Sequence, residues 1–208
     1  MAARIQRTGL IDRTVQHRDA RIFVIATEGT DTEPTYFRGL QERAVIDRSH
    51  VHVEVVETPR EGGASAPKHV LGRLDAFASR YRLFEGLDEL WLVIDVDRWP
   101  AQQLSEVAQV ATQKGYELAV SNPCFELWLL LHVADAPAGA QTSAECEAGL
   151  RRALGAYRKT SLDLATFARR AAVEAAIGRA RTLDPGDGSR WPHETGSHVY
   201  RLAERLLR

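Results

Sequence analysis

The chain has 208 residues, 44% of them hydrophobic, and carries 27 basic against 28 acidic side chains. This length and composition predict one well-buried globular domain and exclude a protein that coats nucleic acid through its overall charge. The two cysteines, Cys124 and Cys146, form no CxxC pair, which argues against a zinc site or a disulfide framework. Neither a run of about 18 apolar residues nor a secretion signal is present, so we expect a cytoplasmic protein without membrane association.

The first third of the chain alternates predicted strands and helices. Residues 1–19 are polar and of mixed charge, and we expect an N-terminal arm there. The apolar run IFVIAT predicts a buried strand, the turn EGTDTEP follows it, and TYFRGLQERAVI predicts a helix capped by Thr32 or Thr35. HVHVEVVE then alternates as a strand does, PREGGASAP predicts a loop, and KHVLGRLDAFASRYRLF predicts an amphipathic helix.

The middle of the chain continues this alternation, and the end is mainly helical. ELWLVID and YELAVS predict strands on either side of the helix PAQQLSEVAQVATQKG, and NPCFELWLLLH predicts a helix with Asn122 as its cap. After the linker APAGAQ come SAECEAGLRRALGAY, LDLATFARRAAVEAAIGRARTL, the turn-rich DPGDGSRWPHETG and HVYRLAERLLR. We therefore predict an α/β core at residues 20–135, with a mostly parallel sheet flanked by helices, and a helical C-terminal portion at residues 136–208 packed on it.

Acidic residues stand at the ends of two predicted strands. Glu28 directly follows the first strand, and Asp95 and Asp97 come at the end of ELWLVID. Alternate residues of an extended segment share a face, so both aspartates can turn to one ion. If the two strands are neighbours, the three carboxylates converge at one sheet edge and can hold Mg²⁺ or Mn²⁺. The structural alternatives are a solvent-facing Glu28 and aspartates that cap the next helix, and the helix dipole alone explains Glu33.

A third block, SNPCFELWLLLH, combines polar residues with an apolar stripe. Ser121, Asn122 and the free N–H groups of a helix start can bind a phosphate, with Glu126 one turn inside. Ordinary helix capping and core packing explain most of these residues equally well. His132 continues the apolar stripe, so a catalytic role competes with that of a structural histidine.

Several other enzyme classes lack their sequence signature here. A HAD-type phosphatase also begins from DxD after an apolar strand, but small residues should follow, whereas this chain has Arg98 and Trp99. No GxxxxGK[ST], GxSxG or HExxH motif is present, which argues against a P-loop hydrolase, a serine hydrolase elbow and a zinc protease.

Taken in order, VIATEGTDTEPTYF, LWLVIDVD and SNPCFELWLLLH resemble the RloB-like proteins, small relatives of the Toprim nuclease fold. The similarity covers residues 20–135 and continues weakly through Tyr157-Arg158-Lys159 to the GSHVY segment. The family usually opens with Cys-Glu-Gly, where this chain has Thr27-Glu28-Gly29. A Thr-x-Val-His pattern near the family's end corresponds to Ser197-His198-Val199-Tyr200.

This resemblance implies a Toprim-like, Rossmann-like core with a metal-dependent site. Glu28 would be the acid/base or a metal ligand, Asp95 and Asp97 would bind Mg²⁺, and Lys159 would neutralise the pentacoordinate phosphate. His132 is a further catalytic candidate. The candidates for substrate binding are Ser121, Asn122, Glu126 and His198.

The resemblance also implies a nuclease acting on DNA or RNA, tRNA included, as a bacterial antiphage defence effector beside a large ATPase partner. One alternative is a non-catalytic interaction subunit that docks through arginines of the late helices, namely Arg151, Arg152, Arg169, Arg170, Arg179 and Arg181. Another is a small metal-dependent phosphotransferase or phosphatase. The sequence leaves open whether the protein forms a homodimer.

Overall fold

A computed structural model of the chain describes residues 20–59, 66–136, 141–186 and 188–208. The predicted arm at residues 1–19 lies outside these ranges, as do residues 60–65 of the predicted loop and most of the predicted linker. The described ranges contain no helix that is both long and apolar enough to cross a membrane.

A five-stranded sheet in the order β2-β1-β3-β4-β5 forms the centre of the fold. Its strands are β1 (Arg21–Thr27), β2 (Val51–Val56), β3 (Glu89–Asp95), β4 (Glu117–Asn122) and β5 (Gly196–Ser197). The first four run parallel to one another, and β5 pairs antiparallel with β4. β1 and β3 are almost continuously buried, as expected for parallel strands that are covered on both faces. The predicted α/β fold class is confirmed.

Helices cover both faces of this sheet. Those found in the described residues are α1 (Thr32–Glu42), α2 (Pro67–Arg80), α3 (Ala101–Gln113), α4 (Phe125–Leu130), α5 (Ser143–Leu154), α6 (Leu164–Phe167), α7 (Arg170–Leu183) and α8 (Val199–Leu207). α2 and α3 bury their apolar stripes against one face. α1, α4, α5, α7 and α8 share a larger core on the other face. The single helix predicted over residues 162–183 is two helices, because the backbone is extended at Arg169.

The C-terminal residues are part of the same core as the parallel strands. Val199, Leu202 and Leu206 of α8 are at most 1% exposed and lie in one hydrophobic cluster with the residues of β1 and β3. β5 was not predicted from the sequence, because two residues are too few to show an alternating pattern. Ser197 of β5 pairs its hydroxyl with that of Ser121 in β4 at 2.8 Å.

The outer edge of β2 is covered by side chains of α1. The Val53 N–H donates to Gln41 Oε1 at 2.7 Å, and Arg38 Nη2 donates to the Val55 carbonyl at 3.4 Å. These contacts satisfy main-chain groups that a neighbouring strand would otherwise pair.

The order of the strands creates a crevice between β1 and β3. The chain leaves β1 through α1 towards β2 on one side, and it leaves β3 through α3 towards β4 on the other side. α1 and α3 lie on opposite faces of the sheet. Such a switch point at the carboxyl ends of parallel strands is where open α/β sheets bind their ligands.

Candidate active site

A pocket of about 180 Å³ opens at this crevice. Six of the residues that line it are acidic, namely Glu28, Asp31, Glu33, Asp95, Asp97 and Glu126. Lys159 and Arg98 are the basic residues of its described lining, and Cys124 lies in its wall. The pocket therefore combines oxygen ligands suited to a hard cation with two positive side chains.

Glu28 is held at the end of β1 by hydrogen bonds from β3 and the turn after it. Its N–H donates to the Val93 carbonyl at 2.9 Å, which continues the parallel ladder by one residue. Its Oε2 accepts from the Asp95 N–H at 3.2 Å and from Trp99 Nε1 at 3.0 Å. Burial raises the pKa of Glu28, and these two hydrogen bonds oppose that effect without reversing it. Glu28 is thus a fixed carboxylate that is also able to take up a proton.

Asp95 is the last residue of β3 and lies beside Glu28. Burial raises its pKa well above the ordinary value, and the carboxylates of Glu33, Glu28 and Glu126 raise it further. The predicted convergence of Glu28 and Asp95 is therefore seen in the structure. The negative charges of three neighbouring carboxylates thus disfavour the ionised form of Asp95.

Glu33 belongs to this acidic group, although the helix dipole alone was expected to account for it. Its Oε1 accepts from the Gly29 N–H at 3.0 Å, and the side chain is buried. Burial raises the pKa of Glu33 to about 7, and the neighbouring Glu126 contributes to the rise. A Cβ at Gly29 would overlap the Glu33 carboxylate, so a larger residue here would have to displace that side chain.

Glu126 lies opposite Glu33, and the two positions are equivalent. Each is the second residue of a helix that begins at the carboxyl edge of the sheet, in α4 and α1 respectively. Tyr157 donates its hydroxyl to Glu126 Oε1 at 3.4 Å. An acidic residue in the first turn of a helix that follows a strand was the sequence signal for both glutamates.

Lys159 reaches the pocket from the segment that follows α5. Its Nζ lies 3.1 Å from Glu126 Oε1 and 3.0 Å from Glu147 Oε1. Burial alone would lower the pKa of Lys159, but the two glutamates outweigh it, and the net pKa is raised. Lys159 is therefore a protonated ammonium at the acidic pocket.

Asp97 lies at the rim of the pocket and not on the strand. β3 ends at Asp95, and residues 96–99 form a turn, so the prediction that both aspartates share one face of an extended segment is wrong. The Ser143 hydroxyl donates to Asp97 Oδ2, and the Asp97 N–H donates to the Pro123 carbonyl at 3.1 Å. Asp97 is exposed, and its charge contributes to the raised pKa of Glu28.

Ser121 and Asn122 are not brought to the pocket. Ser121 is buried against Ser197, and Asn122 Nδ2 donates to the carbonyls of Pro192 and His193 at 3.0 Å each. The prediction that Asn122 caps the following helix is wrong, because β4 continues through Asn122 and α4 begins only at Phe125.

The predicted caps of α1 are also wrong: Asp31 is at the N-cap position, and Thr32 Oγ1 instead donates to the Lys159 carbonyl.

The two histidines among the predicted site residues lie outside the pocket. His132 is buried, with Nε2 3.1 Å from the Tyr36 hydroxyl and Nδ1 2.9 Å from the Trp128 carbonyl. Burial lowers the pKa of His132 to about 4, so it is neutral at physiological pH. His198 precedes α8, where its Nε2 is 3.4 Å from Asp184 Oδ2. Both positions fit a structural role better than contact with a substrate at the acidic pocket.

Most of the arginines proposed as a docking face have partners within the chain. Arg151 pairs with Glu147, Arg170 with Glu174, Arg179 with Asp135 and Arg181 with Glu204. Four of the six charges are thus compensated internally, which weakens the case for an arginine docking surface.

The donor set of the pocket fits Mg²⁺ or Mn²⁺. No three His, Cys, Asp or Glu side chains of the described ranges converge on a single ion position as they stand. Mg²⁺ commonly keeps several waters and binds through only one or two carboxylates, so the Glu28–Asp95 pair with its acidic neighbours meets that requirement. Buried like charges are costly unless protons or a cation compensate them.

The comparisons with known proteins identify one family. The profile of the family described as RloB-like protein matches residues 23–206, nearly all of the chain. No curated protein and no solved structure gives a significant match.

Proposed function

The chain belongs to the RloB-like protein family, and we propose that it is a Mg²⁺- or Mn²⁺-dependent nuclease that hydrolyses phosphodiester bonds of DNA or RNA. The observation that carries this proposal is the group of four buried or half-buried carboxylates, Glu28, Glu33, Asp95 and Glu126, at the switch point of a parallel sheet. Burial raises the pKa of Glu28, Glu33 and Asp95, which means that burying these carboxylates as ions is unfavourable. Core packing therefore does not account for the group, whereas a functional site does.

Glu28 and Asp95 are the residues best placed to hold the cation. When bound, the cation would stabilise negative charge on the phosphate and lower the pKa of a coordinated water. Glu33 and Glu126 line the same pocket, where Glu126 can bind the cation as a third carboxylate. Asp97 lies at the rim, where it can bind a cation-coordinated water. The hydrogen bonds from Trp99 and from the Asp95 main chain keep the Glu28 carboxylate oriented towards the crevice.

The mouth of the pocket offers groups that suit a phosphate. Arg98 Nη1 lies 3.9 Å from Glu28 Oε1, and the Arg98 side chain is 65% exposed. Lys159, in the segment after α5, reaches the pocket at Glu126. Both can contact phosphate oxygens of a bound strand. Since burial raises the pKa of Glu28 above its ordinary value, Glu28 can also serve as the general base.

The biological role that we propose is that of an antiphage defence effector with a large ATPase as partner, as the family resemblance implies. The near balance of 27 basic and 28 acidic side chains supports recognition of nucleic acid through a local site and not through overall charge.

The proposal is tested by replacing the two central carboxylates. In Asp95→Asn and Glu28→Gln we expect loss of Mg²⁺- or Mn²⁺-dependent cleavage of DNA, tRNA or total RNA by a factor of about 100 or more. Both variants should stay folded, because each removes a buried like charge. The measurement is cleavage by the purified proteins, with circular dichroism and thermal unfolding as folding checks.

The matched control is Glu106→Gln, which changes an exposed glutamate of α3 that accepts a hydrogen bond from Gln102. Its cleavage should equal that of the wild type. If the wild type leaves all these substrates intact with either metal, or if Asp95→Asn cleaves as fast as the wild type, the nuclease proposal is wrong.

A further inference from the structure

The ammonium group of Lys159 lies in the acidic pocket, where its positive charge would compete with a metal ion for the carboxylates. We propose that its ammonium is a tethered counter-ion of the acidic pocket, which the divalent cation displaces from Glu126 and thereby makes available to the substrate. This inference rests on the proposed function, because it describes how the same pocket takes up its metal.

The contacts of Lys159 show that the ammonium occupies the acidic pocket directly. Its Nζ is 3.1 Å from Glu126 Oε1, and Glu126 is 5% exposed. The other basic residue of the lining, Arg98, is 3.9 Å from Glu28 and is mostly exposed, so solvent screens it more strongly. Lys159 is therefore the closer of the two cationic groups to a buried carboxylate, and its charge opposes the entry of another cation.

Glu147 gives the displaced ammonium a second position. It lies 3.0 Å from Lys159 Nζ but outside the pocket lining, and it is also paired with Arg151. When a cation takes Glu126, the Lys159 ammonium can stay with Glu147 at the pocket mouth. No backbone movement is required, because four rotatable bonds of the lysine side chain absorb the change.

The main chain beside Lys159 is fixed to the opposite wall of the pocket. Thr32 Oγ1 donates to the Lys159 carbonyl at 3.0 Å, and Tyr157 donates to Glu126 at 3.4 Å. The lysine is thus tethered at the pocket, and only its side chain is free to move. A phosphate that arrives after the metal would meet an ammonium that no longer has its buried partner.

The test measures metal affinity in the absence of nucleic acid. We expect Lys159→Met to bind Mn²⁺ about tenfold more tightly than the wild type, as measured by calorimetry, because Glu126 then lacks its internal cation. The same variant should cleave more slowly, since the phosphate loses a positive contact. Lys159→Arg keeps the charge and should return the metal affinity to within about twofold of the wild type.

The matched control is Lys114→Met, which breaks a lysine–aspartate pair with Asp75 at 2.7 Å on the surface. Its affinity for Mn²⁺ should equal that of the wild type. Lys159→Gln is measured in parallel, so that a folding defect of the methionine variant does not decide the outcome.

Tighter metal binding together with slower cleavage in the charge-removing variants supports the inference. Unchanged or weaker binding in a folded Lys159→Gln overturns it while leaving the nuclease proposal intact. If the wild type binds neither Mn²⁺ nor Mg²⁺, both proposals are overturned together.

Discussion

At the scale of single residues, burial in the acidic pocket favours the protonated form of its carboxyl groups when no cation is bound. Glu33 has a pKa of about 7, well above its ordinary value of 4.5, because it is buried beside other carboxylates. The folded chain therefore holds a proton that the unfolded chain releases. Its contribution to stability is present below pH 4.5 and is lost as the pH rises through 7.

This linkage predicts a pH-dependent gain in stability for Glu33→Gln. In metal-free protein we expect the variant to be more stable than the wild type at pH 8, by about 3 kcal/mol, since the pKa of Glu33 is raised from 4.5 to about 7 and one pKa unit corresponds to about 1.4 kcal/mol. The gain should shrink towards pH 4.5, where wild-type Glu33 is protonated. Thermal unfolding from pH 4.5 to 8 in the presence of a chelator measures the difference.

The quantity to compare is the difference in the free energy of unfolding between Glu33→Gln and the wild type. The reason is that the pKa of His132 affects stability with the opposite dependence on pH. Its folded-state pKa of about 4 lies below the ordinary 6.5, so its contribution is lost as the pH falls from 6.5 towards 4. Subtracting the two curves cancels this effect. Parallel curves for the variant and the wild type would contradict the assignment of a raised pKa to Glu33.

At the scale of elements, α4 is the helix that anchors the larger core. All six of its residues are buried, and the aromatic rings of Tyr36 in α1 and of Trp128 in α4 pack edge-on against His132. His132 bridges these helices through its two ring nitrogens.

Replacing His132 should therefore affect folding and not chemistry. We expect His132→Ala to lower the free energy of unfolding by about 3 kcal/mol, because it leaves a cavity and removes the partner of a buried tyrosine hydroxyl. Cleavage per folded molecule should be unchanged. Urea unfolding and cleavage rates measure the two effects, with the exposed His50→Ala as control. A stable but inactive His132→Ala would restore the catalytic interpretation.

At the scale of the whole molecule, the C-terminal segment completes the core. A chain that ends at residue 183 lacks β5 and α8, and with them Val199, Leu202 and Leu206. Burial of each such side chain contributes about 2 kcal/mol, a large part of the total stability of a typical domain. We expect this fragment to show no cooperative thermal unfolding, whereas removal of Arg208 alone should leave the transition intact. A fragment that unfolds at the wild-type temperature would mean that the C-terminal portion is a separate appendage.

The sequence predicted what local patterns determine. The apolar runs of β1 and β3 identified two buried strands, and the rule that parallel strands end at one edge brought Glu28 and Asp95 together. Glu33 was set aside because an acid in the first turn of a helix already has a local explanation. The contacts of Ser121 could not be predicted, since they depend on β5, which lies some 75 positions along the chain from β4 and has no pattern of its own.

The side chains that cover β2 also decide how copies of the protein can associate. A second copy that added its own strand to this sheet would first have to remove Gln41 from the Val53 amide and Arg38 from the Val55 carbonyl. At the opposite edge β5 offers only two residues, too few for a stable intermolecular ladder. Strand-by-strand stacking of copies through either described edge of the sheet is therefore disfavoured.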